Sequence, residues 1–166
     1  ALPAAEAVGR VRDLDLSYFN TEEGIPQEIK YLKYLETLSL FGNVNTMLKS
    51  ISLGEEVTTL AHLKALRVAA YGISELPESL TRLGATLEIL DLNSNNLERI
   101  PEWLTSENFP KLKSINLSSN RRAARTSLQN MGDEPIGLYT NMELSDDMER
   151  LLRWESLEEL ALSYNY

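Results

Sequence analysis

The feature that most constrains the fold of this chain is a spacing of apolar residues that recurs six times. In its clearest copy, leucines at positions 87, 90, 92 and 97 and asparagine at 95 give the pattern L-x-x-L-x-L-x-x-N-x-L. The copies begin at residues 11, 35, 63, 87, 112 and 157, so the steps are 24, 28, 24, 25 and 45 residues. Self-similarity at such a period predicts a solenoid, in which each repeat packs only on its neighbours.

A second element lies between these copies. Apolar-proline pairs at 25–26, 76–77 and 100–101 are each followed by apolar residues at helical spacing. Proline suits the first position of a helical turn, and apolar residues three apart form one stripe. Each repeat therefore predicts a short strand, a turn and a short helical or 3₁₀ segment.

Together these features resemble the leucine-rich-repeat superfamily, in a style with Ile/Leu-Pro elements that is common in bacterial and plant members. The glycine that usually precedes this dipeptide in plant members is missing at 96–101, which favours the bacterial style. The resemblance covers nearly the whole chain. It implies an α/β solenoid with a curved parallel sheet on the concave side and short helical or 3₁₀ segments on the convex side. Residues 1–166 are interpreted as one leucine-rich-repeat domain of about six repeats, expected to be a fragment of a longer protein, with a long insertion at 121–156.

Alternation of side chains along a strand places the second and third leucines of each copy together in the core. The repeat asparagines fall where the chain bends inward and leaves backbone groups without strand partners. A buried amide side chain can both donate to and accept from such groups. We therefore predict a structural role for Asn43, Asn95, Asn120 and Asn165.

Composition excludes several kinds of chemistry. The chain has no cysteine and one histidine, so thiol chemistry and Cys/His zinc sites are excluded, and no cofactor or metal is predicted. No Ser/His/Asp group and no phosphate-binding glycine loop can be assembled, which argues against an enzyme. A net charge of −9 disfavours nucleic acid. No apolar run approaches the roughly 18 residues that a membrane span needs.

The residues between the buried leucines point to the other face of the sheet, and these are the candidate partner-binding residues. The third strand contributes Arg67 and Ala69 to this face. Exposed aromatic residues there are of the type that anchors interfaces. The predicted contacts are Asp13, Asp15, Tyr18, Phe41, Arg67, Asp91, Asn93, Asn116 and Tyr164.

The long last step is the strongest departure from the repeat, and insertions in solenoids often serve binding. Its first part carries Arg121 and Arg122, a basic pair on an acidic protein, and the 121–144 loop is the second candidate binding element. Its end predicts a helix over 145–154, capped by Ser145, with a stripe of Met148, Leu151 and Leu152.

The leading hypothesis is a non-catalytic recognition module that binds a protein or peptide through the concave face and the 121–144 loop. The superfamily resemblance implies the same. Three alternatives stay open: glycan binding, a purely structural segment of a bacterial surface protein, and the substrate-recognition part of an enzyme whose catalytic domain lies elsewhere. The repeat style favours a cell-surface or secreted bacterial setting.

Overall fold

A computed structural model describes residues 9–18, 25–47, 51–123, 139–141, 144 and 147–165. Its helical segments are three 3₁₀ helices, Gln27–Tyr31, Glu55–Thr59 and Glu78–Leu83, and two short α-helices, Val44–Met47 and Met148–Leu152. Its strands are β1 (Asp13–Asp15), β2 (Thr37–Phe41), β3 (Ile51–Ser52), β4 (Ala65–Ala69), β5 (Ile73–Glu75), β6 (Ile89–Asp91), β7 (Ser114–Asn116), β8 (Arg121–Ala123), β9 (Tyr139–Asn141) and β10 (Glu159–Ala161).

One strand from each of the six copies joins a single parallel sheet. Its order is β1-β2-β4-β6-β7-β10, so spatial neighbours are successive repeats. The register is constant, because the second leucine of every copy pairs with its counterpart: Leu14, Leu38, Leu66, Leu90, Ile115 and Leu160. The leucine-rich-repeat solenoid with its parallel sheet is therefore confirmed.

The core lies between this sheet and the helical segments. Leu90, Leu92, Ile115 and Leu117 are almost completely buried, as the repeat predicts. Leu80 and Leu83, from the 3₁₀ helix after Leu76-Pro77, cover them from the opposite side. Strands stack about 4.8 Å apart whereas helices need about 10 Å, so the sheet forms the concave side.

A second, two-stranded parallel sheet pairs β3 with β5 beyond the inward turns of repeats two and three. The repeat pattern does not predict it. Ile51 donates its backbone N–H to Gly72 and Leu53 donates to Glu75, at 2.9 and 3.0 Å. These bonds satisfy backbone groups that have left the main sheet.

The asparagine prediction is confirmed for the later repeats. The Asn95 side chain accepts hydrogen bonds from the backbone N–H groups of Tyr71 and Ile73, both at 3.1 Å, and donates to the carbonyl of Val68 at 2.6 Å. Asn120 accepts from Leu97 at 3.1 Å. Each amide thus binds the preceding repeat as well as its own.

Asn165 continues the same series at the last described turn. Its side chain accepts from the backbone N–H of Asn120 at 2.9 Å and donates to the Leu117 carbonyl at 2.7 Å. Three successive turns are therefore linked by asparagine side chains.

Asn43 has a structural role, but the prediction that its side chain is buried is wrong. Its side chain is exposed and accepts hydrogen bonds from Asn45 and Thr46, at 2.9 and 3.2 Å, at the start of the helix Val44–Met47. Thr46 instead makes the link between repeats, because its buried hydroxyl lies 2.7 Å from the carbonyl of Ala70. Because a helical turn follows immediately, the Asn43 side chain binds the first N–H groups of that turn and does not enter the interior.

The same turn requires a left-handed residue just before the asparagine position in five copies. Tyr18, Ala70, Ser94, Ser119 and Tyr164 have φ between 53° and 61°. The second copy has Gly42 at this position, and a Cβ there would lie 2.0 Å from the Ala70 carbonyl oxygen. Glycine is needed at position 42 for close approach.

The described parts of the 121–156 insertion contain an antiparallel pair and a helix. β8, with Arg121 and Arg122, pairs with β9. The helix begins at Met148 after Asp147, and the predicted cap Ser145 lies outside the described residues. Leu151 and Trp154 are buried, whereas Leu152 is 72% exposed, so the predicted apolar stripe is wrong at that position.

Candidate binding face

The outward side chains of the six strands form two parallel rows across the concave face, which we call the first row and the middle row. Cα pairing defines the first row as Asp13, Thr37, Ala65, Ile89, Ser114 and Glu159. It defines the middle row as Asp15, Ser39, Arg67, Asp91, Asn116 and Ala161. The constant register therefore fixes which chemical groups are neighbours.

Three of the predicted contact residues meet in one shallow depression. Arg67, Asp91 and Asn116 line a concavity of about 570 Å³ with side chains of β6, β7 and β10 around them. Ile89 and Leu160 give part of its lining an apolar character. A site that combines apolar surface with a few placed polar groups is typical of recognition.

Arg67 and Asp91 are neighbours in the middle row, yet they form no ion pair. The Asp91 carboxylate accepts hydrogen bonds from the backbone N–H of Asn93 at 3.0 Å and from its amide Nδ2 at 2.7 Å. Within the described part of the chain, no carboxylate lies within 4.0 Å of the Arg67 guanidinium. Arg67 is therefore available to an external anion.

Asp15 and Asn116 adopt the same local turn as Asp91. Asp15 accepts from the backbone N–H of Ser17 at 2.8 Å, and Asn116 accepts from that of Ser118 at 3.1 Å. The side chain and then the backbone N–H of Ser17 lower the pKa of Asp15 below its usual value. These groups therefore orient the ends of their strands, and the hydrogen bonds to Asp15 and Asp91 all use Oδ1 of the carboxylate.

The predicted aromatic contacts lie at the ends of the strands. Tyr18 is 78% exposed, Tyr164 67% and Phe41 36%. Tyr18 and Phe41 are adjacent, since the Tyr18 N–H donates to the Phe41 carbonyl at 2.7 Å. Tyr164 belongs to the last repeat, at the opposite end of the face. Asp13 is exposed at the first strand, and Ala69 is buried, so its prediction as an exposed position is wrong.

For Arg121 and Arg122 the structure gives the backbone alone, within β8. The strand follows directly on Asn120, whose buried side chain ties it to the fourth and fifth repeats. The remainder of the 121–144 loop lies outside the described residues except at 139–141 and 144.

A row of alternating charge borders the face and was missed by the sequence reasoning. The residues that precede the first row in sequence are linked from strand to strand by backbone hydrogen bonds of 2.7–2.8 Å. In spatial order this charge row is Arg12, Glu36, Lys64, Glu88, Lys113 and Glu158. Lys64 and Glu36 form an ion pair at 3.4 Å. Alignment of the repeats on their first leucine would have found the alternation.

An aromatic cluster lies near the start of this row. The centres of the Tyr34 and His62 rings are 5.5 Å apart. The Arg12 guanidinium lies 5.0 Å from the centre of the Tyr34 ring. His62 is exposed, and its ring packs beside the ring of Tyr34. This cluster consolidates the first three repeats.

A second depression of about 620 Å³ lies beside the last two repeats, lined by Glu107, Pro110, Arg153 and Glu155 among others. The Glu107 backbone N–H and the Thr105 hydroxyl lower the pKa of Glu107. Opposite charges mix at this rim, so it presents no sign preference to a ligand.

Neither a metal centre nor a membrane span is found in the described ranges. No group of three His, Cys, Asp or Glu side chains there is placed to hold a metal ion. None of the helices in this part of the chain is long and apolar enough to cross a membrane.

Comparison with known proteins agrees with this geometry. The Leucine Rich Repeat family matches residues 86–106. A leucine-rich-repeat protein of Leptospira interrogans is similar in structure, with a TM-score of 0.67 and 25% sequence identity over 96% of this chain. This chain spans 33% of the length of that protein. No curated protein matches it. The family match and the similar structure both support the leucine-rich-repeat superfamily, a fold that generally mediates recognition between proteins.

Proposed function

We propose that this chain is a non-catalytic recognition module that binds a protein or peptide partner through its concave face. The observation that carries the proposal is the depression in which Arg67, Asp91 and Asn116 converge on a rigid sheet. Their backbones are fixed by the ladder of parallel strands, so the binding groups are held in place before a partner arrives. Such preorganisation reduces the entropic cost of association.

The aromatic residues extend this face beyond the depression. Tyr18 and Phe41 present large side chains at the strand ends of the first two repeats. Aromatic side chains are enriched among the residues that dominate binding energies. A partner that reaches from Tyr18 to Tyr164 crosses all six strands of the sheet, which at about 4.8 Å per step is roughly 24 Å.

The 121–144 loop is proposed as the second contact element. β8 follows directly on Asn120, so Arg121 and Arg122 begin the loop immediately after the turn of the fifth repeat. Their positive charge contrasts with the net charge of −9. Both the resemblance to a Leptospira protein and the Ile/Leu-Pro repeat style support a bacterial setting for the parent protein.

The test is selection of displayed peptides of about 12 residues on the full chain, followed by affinity measurement for the enriched peptide. Arg67→Ala should weaken binding about tenfold, the effect expected of a residue at the centre of an interface. Arg82→Ala is the matched control, since Arg82 is exposed on the 3₁₀ helix at the convex side. It should leave the affinity unchanged.

Three results would overturn the proposal. The first is enrichment of no peptide, and the second is equal weakening by Arg67→Ala and Arg82→Ala. The third is binding on a glycan array, lost with Arg67→Ala, in the absence of any peptide binding, which would reassign the face to carbohydrate. The circular dichroism melting curve of each variant should match that of the parent chain, so that loss of binding is not loss of fold.

A further inference from the structure

The free charges on the concave face have a definite order across the strands. β1 presents Asp13 and Asp15, and β4 presents Arg67. β6 presents Asp91, and β10 presents Glu159 at the far side. In between, the outward residues of β2 and β7 are uncharged. The sequence of signs from repeat one to repeat six is therefore minus, neutral, plus, minus, neutral, minus.

Arg67 stands alone in this pattern for two structural reasons. Asn93 holds the Asp91 carboxylate through two hydrogen bonds, and among the described residues the guanidinium forms no ion pair. Ala65 and Ala69, on either side of Arg67 in β4, are small and buried. A ligand atom can therefore approach the guanidinium without displacing a larger side chain of the same strand.

The charge row beside the face does not obscure this order. Its signs alternate at every strand, and Lys64 is paired with Glu36 at 3.4 Å. The charge row holds three positive and three negative side chains, so it adds no net charge beside the face. The net field over the face is thus set by the first and middle rows, in which four carboxylates and one guanidinium are placed.

We infer that the partner segment is an extended basic peptide with a single carboxylate set opposite Arg67. This inference rests on the proposed function. Strands about 4.8 Å apart put the four charged strands at roughly 0, 10, 14 and 24 Å along the face. Because alternate side chains of an extended peptide share one face, at about 3.3 Å per residue the order Lys-x-Glu-x-Lys-x-x-x-Lys presents its four charges together, each within about 3 Å of the matching strand. The excess of negative charge on the chain attracts such a segment from a distance.

The experiment compares that peptide with one of the same composition in the order Lys-x-Lys-x-Lys-x-x-x-Glu, where x is serine or tyrosine. Fluorescence anisotropy with the full chain should give at least about tenfold tighter binding of the ordered peptide. Arg67→Glu should abolish that preference, and a third peptide with lysine in place of the glutamate should regain about tenfold on this variant. Reciprocal recovery by a charge swap is evidence of direct contact.

Equal binding of the ordered and permuted peptides would overturn the charge order. Absence of binding by the ordered peptide would do the same. In either case the displayed-peptide selection decides the proposed function separately. Enriched peptides that Arg67→Ala weakens and Arg82→Ala does not would keep the concave face as the binding site, with a ligand of another pattern.

Discussion

The second repeat and the fourth repeat carry an asparagine at the same motif position and use it in different ways. Asn95 is buried and binds backbone groups of the third repeat. Asn43 is exposed and binds the first turn of its own short helix. At the second repeat, Thr46 and Gly42 take over the contact with the next repeat. The motif residue marks where the chain turns, and the residues after it decide which group links the repeats.

The largest difference is expected from removal of the two asparagine side chains. Asn95→Ala leaves the backbone N–H groups of Tyr71 and Ile73 and the Val68 carbonyl without their partner in a buried turn. Each such group costs about 1–3 kcal/mol, so the free energy of unfolding should fall by about 3 kcal/mol. Asn43→Ala should cost about 1 kcal/mol, as for the loss of a helix cap.

Urea denaturation followed by circular dichroism measures both variants. Equal losses of unfolding free energy in Asn43→Ala and Asn95→Ala would contradict the difference between the repeats.

A methyl group at position 42 is the next largest change. Gly42→Ala places a Cβ against the Ala70 carbonyl oxygen and the Thr46 hydroxyl, at 2.0 and 2.1 Å. Because one of these atoms is backbone, the turn must shift, and a loss of about 2 kcal/mol in unfolding free energy is expected. Ser119→Ala is the control, since Ser119 already carries a Cβ at the equivalent position of the fifth repeat.

Thermal denaturation of the two alanine variants gives the comparison. If Gly42→Ala melts at the same temperature as Ser119→Ala, the close approach between the second and third repeats is not a constraint on the sequence.

Burial followed directly from the sequence, whereas the hydrogen-bond partners did not. Leu90 and Leu92 were correctly placed in the core, because side chains two residues apart on a strand lie on the same face. Asn43 was not, because its role depends on Thr46 three residues later and on Ala70 in another repeat. The position of each candidate contact follows from alternation along its strand, which is a local property.

The state of the Arg67 guanidinium could not be read in the same way. Arg67 forms no ion pair with Asp91, because the Asp91 carboxylate accepts hydrogen bonds from Asn93, two residues along the chain. Sequence alone would pair an aspartate and an arginine on adjacent strands. The two-stranded sheet of β3 and β5 was missed for a related reason: strands this short carry no periodicity.

Relief of a left-handed backbone should produce a smaller effect of the opposite sign. Ser119 has φ of 59°, a region that costs a residue with a side chain about 1–2 kcal/mol. Glycine removes this cost but gains freedom in the unfolded chain. Ser119→Gly should therefore raise the free energy of unfolding by about 0.5 kcal/mol.

Chemical denaturation of Ser119→Gly and Ser119→Ala together separates backbone from side chain. A less stable glycine variant would show that the serine side chain, rather than its backbone angle, is what matters at this turn.

The smallest expected effect concerns the charge row, which the second and the fourth repeat share. The charge row runs without interruption through both, so that Glu36 lies between Arg12 and Lys64, and Glu88 lies between Lys64 and Lys113. Reversal of either glutamate to lysine creates three consecutive positive charges. Like charges on adjacent strands cost a few tenths to about 1 kcal/mol, so Glu36→Lys and Glu88→Lys should each lose about 0.5 kcal/mol.

Because the positive charges of the row are exposed and both glutamates are partly exposed, salt should screen the loss, and both variants should approach the stability of the parent chain at about 1 M sodium chloride. Glu75→Lys, at an exposed position in β5 outside the charge row, serves as the control and should change little at any salt concentration. A loss of stability at Glu88 that persists in salt would mean that the side chain acts by packing. A loss at Glu88 alone would mean that the alternation of charge does not extend to the second repeat. Equal, salt-sensitive losses at both sites would establish that one electrostatic pattern aligns repeats whose turns are built differently.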